Sequence, residues 1–165
     1  MARILIVAGG CRGRRLAVEM IEEGHAVRAT TRSEVNRPAI EATGAECWVG
    51  TPDRLVTLRG ALENVTIACW LLGTATGAEG QLRALHSSRL QFFLSQAIDT
   101  TVRGFLYEAA GTPAPADALA GGERIARAMG ERNAIPVAVL TADPGDVDAW
   151  LVQARGAIDE MLRGG

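Results

Sequence analysis

The sequence predicts an α/β fold: a doubly wound six-stranded parallel sheet with helices on both faces. Three observations predict it. Short β-rich apolar runs recur at even intervals, segments of helical period separate them, and a glycine-rich turn follows directly on the first run. The six runs are Arg3–Ala8, Ala26–Thr31, Glu46–Gly50, Thr66–Leu72, Arg103–Ala109 and Ile135–Thr141. Strands buried on both faces are apolar continuously rather than alternately. Ile4-Leu5-Ile6-Val7 and Ile67-Ala68-Cys69-Trp70 have that form.

The helices between them have readable ends. The first, Gly13–Glu23, carries Leu16, Met20 and Ile21 on one face and stops at Gly24, a residue free to take the left-handed conformation. Thr51-Pro52-Asp53 reads as N-cap, first-turn proline and first-turn acid, opening a helix through Leu62. The longest helix runs from about Gly80 to Ile98, with Leu82, Leu85, Leu90, Phe93, Leu94 and Ala97 inward. Phe92 and Phe93 lie about 100° apart on it, so one of them faces away from the core. Gly111–Asp117 is a loop by composition, and no element is placed between it and the sixth strand. Asp143-Pro144 opens the last helix, where Val147, Trp150, Leu151, Ala154, Ile158, Met161 and Leu162 repeat at helical period. Trp48, Trp70 and Trp150 are all assigned to the core.

The chain's 165 residues suit one compact domain spanning 1–165, with no room for a separate substrate domain. A hydrophobic share of 48% against 22% charged excludes disorder, and a net charge of −2 argues against a nucleic-acid partner. The apolar start is too short for a signal-peptide core or a membrane span. Three widely spaced cysteines, Cys11, Cys47 and Cys69, show neither a zinc pattern nor a disulfide framework, so a reducing cytoplasm is expected. All 17 basic residues are arginine. Chemistry that needs a lysine, whether Schiff base, phosphate-loop lysine or tyrosine–lysine relay, is therefore excluded.

The sharpest local signal is Ala8-Gly9-Gly10-Cys11-Arg12-Gly13, between a strand and a helix. It is G-x-G-x-x-G with alanine in the first position. The first glycine makes the tight turn, the second admits a pyrophosphate, and the third lets helix and strand pack closely. Gly10 and Gly13 meet the last two needs, and Ala8 is acceptable if its φ stays negative. The helix start offers free amides to an anion. Gly9, Gly10, Cys11, Arg12 and Gly13 are thus candidate dinucleotide ligands, joined by Thr31 and Arg32 after the second strand and by Leu72 and Gly73 after the fourth.

An acid about 20 residues past the glycines selects NAD, whereas arginine there accommodates the 2′-phosphate of NADP. This chain has Thr30-Thr31-Arg32-Ser33 and no acid. NADP(H) is therefore expected in preference to NAD(H), with Arg12 as a second guanidinium on the same phosphate. The alternative is that Arg12 and Arg32 are ordinary solvated charges.

Ile4-Leu5-Ile6-Val7-Ala8-Gly9-Gly10-Cys11-Arg12-Gly13-Arg14-Arg15-Leu16-Ala17, followed by Gly24-His25-Ala26-Val27-Arg28-Ala29-Thr30-Thr31-Arg32, resembles atypical and extended short-chain dehydrogenase/reductases. Epimerase/dehydratase-like and NmrA-like proteins are included in that resemblance. Gly44–Gly50 looks like their third strand, Arg103–Gly111 like the strand that carries a serine pair in active members, and Ile135–Leu140 like their I-P-x-x-x-L strand. The resemblance implies a Rossmann domain of strand order 3-2-1-4-5-6, a bound dinucleotide, a small-molecule substrate, and a homodimer formed through the long helix.

The departures weigh as much as the matches. The family's tyrosine–x–x–x–lysine pair is absent, and the single tyrosine, Tyr107, lies within the fifth strand. Ala109 and Ala110 stand where active members have serines, Thr51-Pro52 where the family has an adenine-contacting aspartate, and no cap insertion is present. Standard catalysis is excluded on this reading. A dinucleotide-binding or sensing module is expected; the alternatives are a small NADPH-dependent reductase resembling flavin or biliverdin reductases, and a scaffold that binds nothing. Glu108, ending an apolar strand, and His86, on the long helix, are the candidate catalytic groups, each with a plain packing role as its alternative. Cys11, at a helix start, is a candidate redox thiol.

Overall fold

A computed structural model describes residues 1–164. Strands β1 (Arg3–Ala8), β2 (Ala26–Thr31), β3 (Glu46–Val49), β4 (Ile67–Leu71), β5 (Gly104–Glu108) and β6 (Val137–Leu140) form one sheet. Every pairing is parallel, in the order β3-β2-β1-β4-β5-β6. Strand order reverses between β1 and β4, and a crevice opens at the carboxyl ends of strands where that happens.

Strands β1, β4 and β5 are apolar on both sides because each side meets helices, whereas β2 turns Arg28 and Thr30 to one face. Ile4 and Ile6 of β1 face α1 (Gly10–Glu22), α2 (Arg37–Glu41) and α6 (Val147–Gly164), packing with Leu16, Met20, Trp150 and Ile158. Leu5 and Val7 face α3 (Glu79–Leu85), α4 (Ser88–Ala97) and α5 (Ala116–Asn133), packing with Trp70, Leu85, Phe93 and Tyr107. The period of two thus builds two cores from one run. Among the described residues, no helix is long and apolar enough to cross a membrane.

Four expectations need correction. The segment after β3 is not a helix: Thr51 and Arg54 bridge in a turn, and two short 3-10 turns follow at Leu55–Leu58 and Gly60–Leu62. The Thr57 hydroxyl accepts from the Thr51 amide at 2.8 Å and donates to the Arg54 carbonyl at 2.6 Å, displacing the bonds of a regular helix. The long helix is broken into α3 and α4 at His86-Ser87. There the Trp70 indole takes the Leu85 carbonyl at 3.1 Å, and the Ser87 hydroxyl takes that of Arg83 at 2.7 Å.

The largest omission is α5, an 18-residue helix where no element was placed. Its buried face is Leu119, Gly122, Ala126, Met129 and Gly130, too small and glycine-rich to show as an apolar stripe. Trp48, finally, is only half buried. Its indole donates to the Thr57 carbonyl at 2.8 Å, and the Arg28 guanidinium sits over its ring. Trp70 and Trp150 are core, and of the phenylalanine pair Phe93 is inward while Phe92 is exposed.

Candidate functional site

The glycine turn is tighter than the sequence implied. Helix α1 begins at Gly10, so Gly13 lies within it, and Ala8, Gly9 and Gly10 have φ of 65°, 91° and 55°. The negative φ expected at Ala8 is thus overturned: an L-residue with a side chain sits in the left-handed region. Its amide donates to the Thr30 hydroxyl at 3.0 Å, which ties the turn to β2. A Cβ on Gly9 would stand 2.9 Å from the Gly13 Cα, and one on Gly13 would stand 3.0 Å from the Ala8 carbonyl oxygen. This mutual approach requires both glycines. Gly10 is exposed with open space around it, which leaves the backbone there accessible.

No acidic residue and no side-chain cap occupies the first turn of α1, so its amides and dipole are available to an anion. Two clefts flank this helix start. The first, about 330 Å³, lies between the turn and the end of β2, and its walls include Gly10, Cys11, Gly13, Arg14, Thr31 and Arg32. Arg32 is exposed and pairs with Asp53 at 3.1 Å, while Arg89 bonds the other oxygen of the same carboxylate. The Thr31 hydroxyl accepts from the Asn36 amide at 3.0 Å and donates to the Ser33 carbonyl at 3.2 Å, so it shapes the loop after β2. Cys11 is exposed and accepts from Arg14 at 3.1 Å.

Arg12 does not join Arg32. Its guanidinium donates to the Thr74 hydroxyl at 2.8 Å and stands over the Trp150 ring, 5.4 Å from the centroid, in the second cleft. The physical reason is the early helix start: residues two apart on a helix point about 200° apart, so Arg12 and Arg14 leave the turn on opposite sides. Arg14 is the arginine that shares a cleft with Arg32. Nothing in the sequence separated these neighbours while the helix was taken to begin at Gly13.

The second cleft, about 610 Å³, opens at the carboxyl ends of β4, β5 and β6, with Arg12, Thr74, Ala110, Thr112, Thr141 and Asp143 in its walls. Glu108 lies beneath it, fully buried. One oxygen accepts from the Gly73 amide at 2.8 Å, the other accepts from the Trp150 indole at 2.7 Å, and Arg12 stands 3.8 Å away. Burial pushes its carboxyl above the usual range, opposed by Trp150, Gly73 and Arg12. Both oxygens are committed to holding loops and helices together. Leu72 and Gly73 are buried, and Gly73 packs so closely on the backbone of Ala110 and Gly111 that no side chain fits.

His86 is buried away from both clefts. Its Nδ1 lies 2.7 Å from the Tyr107 hydroxyl, and that hydroxyl also lies 3.3 Å from the Leu119 carbonyl. Desolvation lowers the imidazole's proton affinity, and Tyr107 is held well above the ordinary phenol range by burial. The two candidate catalytic groups are therefore not brought together: Glu108 joins β5 to α6, while His86 joins the α3–α4 break to β5. Arg14, Asn36, Asp53 and Arg89 are the site residues that sequence reasoning missed.

The architecture is a Rossmann-like fold. BdcA (YjgI) from E. coli superposes with a TM-score of 0.71 at 15% identity, over 93% of this chain and 88% of that one. A putative NAD-dependent epimerase/dehydratase from Bacillus halodurans gives 0.68 at 17% identity, over 84% and 69%. A triphenylmethane reductase from Citrobacter sp., complexed with NADP(H), gives 0.60 at 18% identity, over 83% and 48%. The chain spans about half the length of several such structures, 50% for gox2253 and 56% for alfalfa vestitone reductase. No family profile and no curated protein matches the sequence.

Proposed function

We propose that this chain binds a nicotinamide dinucleotide across the β1–α1 turn, with NADP(H) preferred over NAD(H), and that it does so without a tyrosine–lysine proton relay. One observation carries the reading: the first cleft brings the uncapped start of α1 together with two guanidinium groups, Arg14 and Arg32, at the end of β2. Free amides suit a diphosphate, and planar guanidinium forks suit a 2′-phosphate. Gly9, Gly10, Cys11 and Gly13 are the turn that would hold such a group, with Thr31 and Arg32 at its ribose end. The named neighbours support it, since one is complexed with NADP(H) and another is described as NAD-dependent.

Within this reading the chain is a binding or sensing module, because Glu108 and His86 both have structural partners. The open second cleft favours a small reductase as the other reading, with hydride supplied by the bound cofactor. The test is a titration with NADPH and NADH followed by quenching of the tryptophans, in the wild type and in Arg32→Ala. Binding of NADPH that falls at least about tenfold in the variant, with NADH changed little, is expected from loss of a charge-assisted pair. Equal losses for both would refute the NADP preference, and no binding of either would refute the dinucleotide reading. NADPH consumption with flavins, quinones or aldehydes would favour the reductase.

A further inference from the structure

Arg12 is an arginine with too few partners. Its side chain is only 17% exposed, its Nε is buried without a hydrogen-bond acceptor, and its one hydrogen bond goes to Thr74. Glu108 does not complete it, because the nearest approach is 3.8 Å and both carboxylate oxygens already serve Gly73 and Trp150. A part-buried guanidinium loses hydration on folding, and that loss is offset only by an anion or by several acceptors. Here the fold supplies the Trp150 ring below the guanidinium carbon and the Thr74 hydroxyl as an acceptor for one Nη, so the group is held in place. The cleft beside it is roomy, about 610 Å³, and carries the threonine residues Thr74, Thr112 and Thr141. Asp143 is the one carboxylate among the described lining residues, and the Gly145 amide donates to its Oδ1 at 2.9 Å.

We infer that the cleft at the carboxyl ends of β4, β5 and β6 is a binding site for a small organic carboxylate, received by the Arg12 guanidinium. Three features select this class. A planar guanidinium fork matches the two coplanar oxygens of a carboxylate. The one cation among the described lining residues matches the single charge of a carboxylate rather than the two of a phosphate, and Asp143 disfavours a second negative charge. The threonine hydroxyls can bond the polar remainder of an oxygen-bearing ligand. The inference deepens the dinucleotide reading by naming the class of the second ligand, and the binding itself does not depend on that reading.

The experiment is calorimetric titration of the protein, alone and saturated with NADP+, with oxalate, malonate, succinate and benzoate, each paired with its neutral amide. At least one acid should bind at least about tenfold more tightly than its amide, the worth of a charge-assisted hydrogen-bonded pair. Arg12→Gln should remove that preference while leaving NADP+ affinity within about threefold, and Arg12→Lys, which keeps the charge but not the fork, should fall between. Arg32→Ala should leave carboxylate binding unchanged. Acids no tighter than amides, or an Arg12→Gln protein that binds them as well as the wild type, overturns the inference. So does a loss of NADP+ equal to the loss of carboxylate, which would assign Arg12 to the cofactor's diphosphate. Should Arg12→Gln fail to fold, Arg12→Lys decides by the same comparison. If the wild type binds an acid through Arg12 and no dinucleotide, the cofactor reading fails and this one stands.

Discussion

The Trp150 indole donates to a carboxylate oxygen of Glu108 at 2.7 Å, joining α6 to the end of β5 beneath the second cleft. Glu108 also accepts from the Gly73 amide, so one buried side chain fastens the β4 loop, β5 and α6. Glu108→Ala leaves two buried donors without an acceptor and should cost about 3 kcal/mol in urea unfolding, at the upper range for such losses. A loss under about 1 kcal/mol would mean that water replaces the carboxylate.

The same burial sets a pH dependence. The folded-state proton affinity of Glu108 is raised above the ordinary value of 4.5, chiefly by desolvation, so the folded form binds this proton more tightly than the unfolded form. The stabilisation is complete below that ordinary value and is lost as pH rises through the raised folded value. Glu108→Gln cannot ionise and lacks this slope. Wild-type stability minus that of the variant should therefore fall as pH is raised from 4.5, and urea unfolding across the range checks it. A difference that stays flat or rises would contradict the assigned sign.

Ala8 carries a side chain at φ 65°, at the head of the candidate cofactor turn. The left-handed conformation costs a non-glycine residue about 1–2 kcal/mol, and glycine's extra unfolded-state entropy offsets about half of that. Ala8→Gly should stabilise the protein by about 0.5–1 kcal/mol without weakening dinucleotide binding. Thermal unfolding with and without NADPH measures both. A destabilised variant would show that the alanine methyl contributes packing beyond its strain.

How much was legible follows from where the information lies. Strands β1, β4 and β5 could be read because each is apolar on both faces, a property of consecutive residues that needs no partner, while β2 and β3 were read from their even spacing along the chain. Helices defined by tertiary bonds could not. The break at His86-Ser87 depends on an indole from β4, and the 3-10 turns after β3 depend on the Thr57 hydroxyl. Helix α5 was hidden because its contact face needs glycine, as Gly122 shows against Tyr107. The glycine turn was legible as a strand–turn–helix unit. The directions of Arg12 and Arg14 were not, since Arg12 takes a helical direction, opposite to that of Arg14, only when the helix begins at Gly10.

Asp53 sits between Arg32 and Arg89 at the edge of the first cleft, so Arg32 is partly neutralised before any ligand arrives. A 2′-phosphate must compete with that carboxylate. Asp53→Asn should tighten NADPH about two- to fivefold, the worth of an exposed ion pair, while leaving NADH unchanged. The gain should shrink at high salt as the charges are screened. Weaker NADPH binding in the variant would show instead that Asp53 holds Arg32 in its binding position.

Gly122 of α5 lies against Tyr107 of β5 so closely that a Cβ would overlap the phenol hydroxyl, and it would also stand 3.1 Å from the His86 carbonyl oxygen. Gly122→Ala must push helix and strand apart, and overpacking of this kind costs about 1–3 kcal/mol. Tyr107→Phe removes the hydroxyl that meets His86 Nδ1 at 2.7 Å, leaving a buried ring nitrogen unpaired at a further cost of about 1–3 kcal/mol. In the double variant the alanine methyl occupies space that the hydroxyl has vacated. Its destabilisation in urea should therefore be smaller than the two single losses combined, by about 1 kcal/mol, the coupling expected of side chains in contact. Strict additivity would mean that the helix shifts to admit the methyl regardless of the hydroxyl, and that the Tyr107–Gly122 contact does not set the spacing between α5 and the sheet.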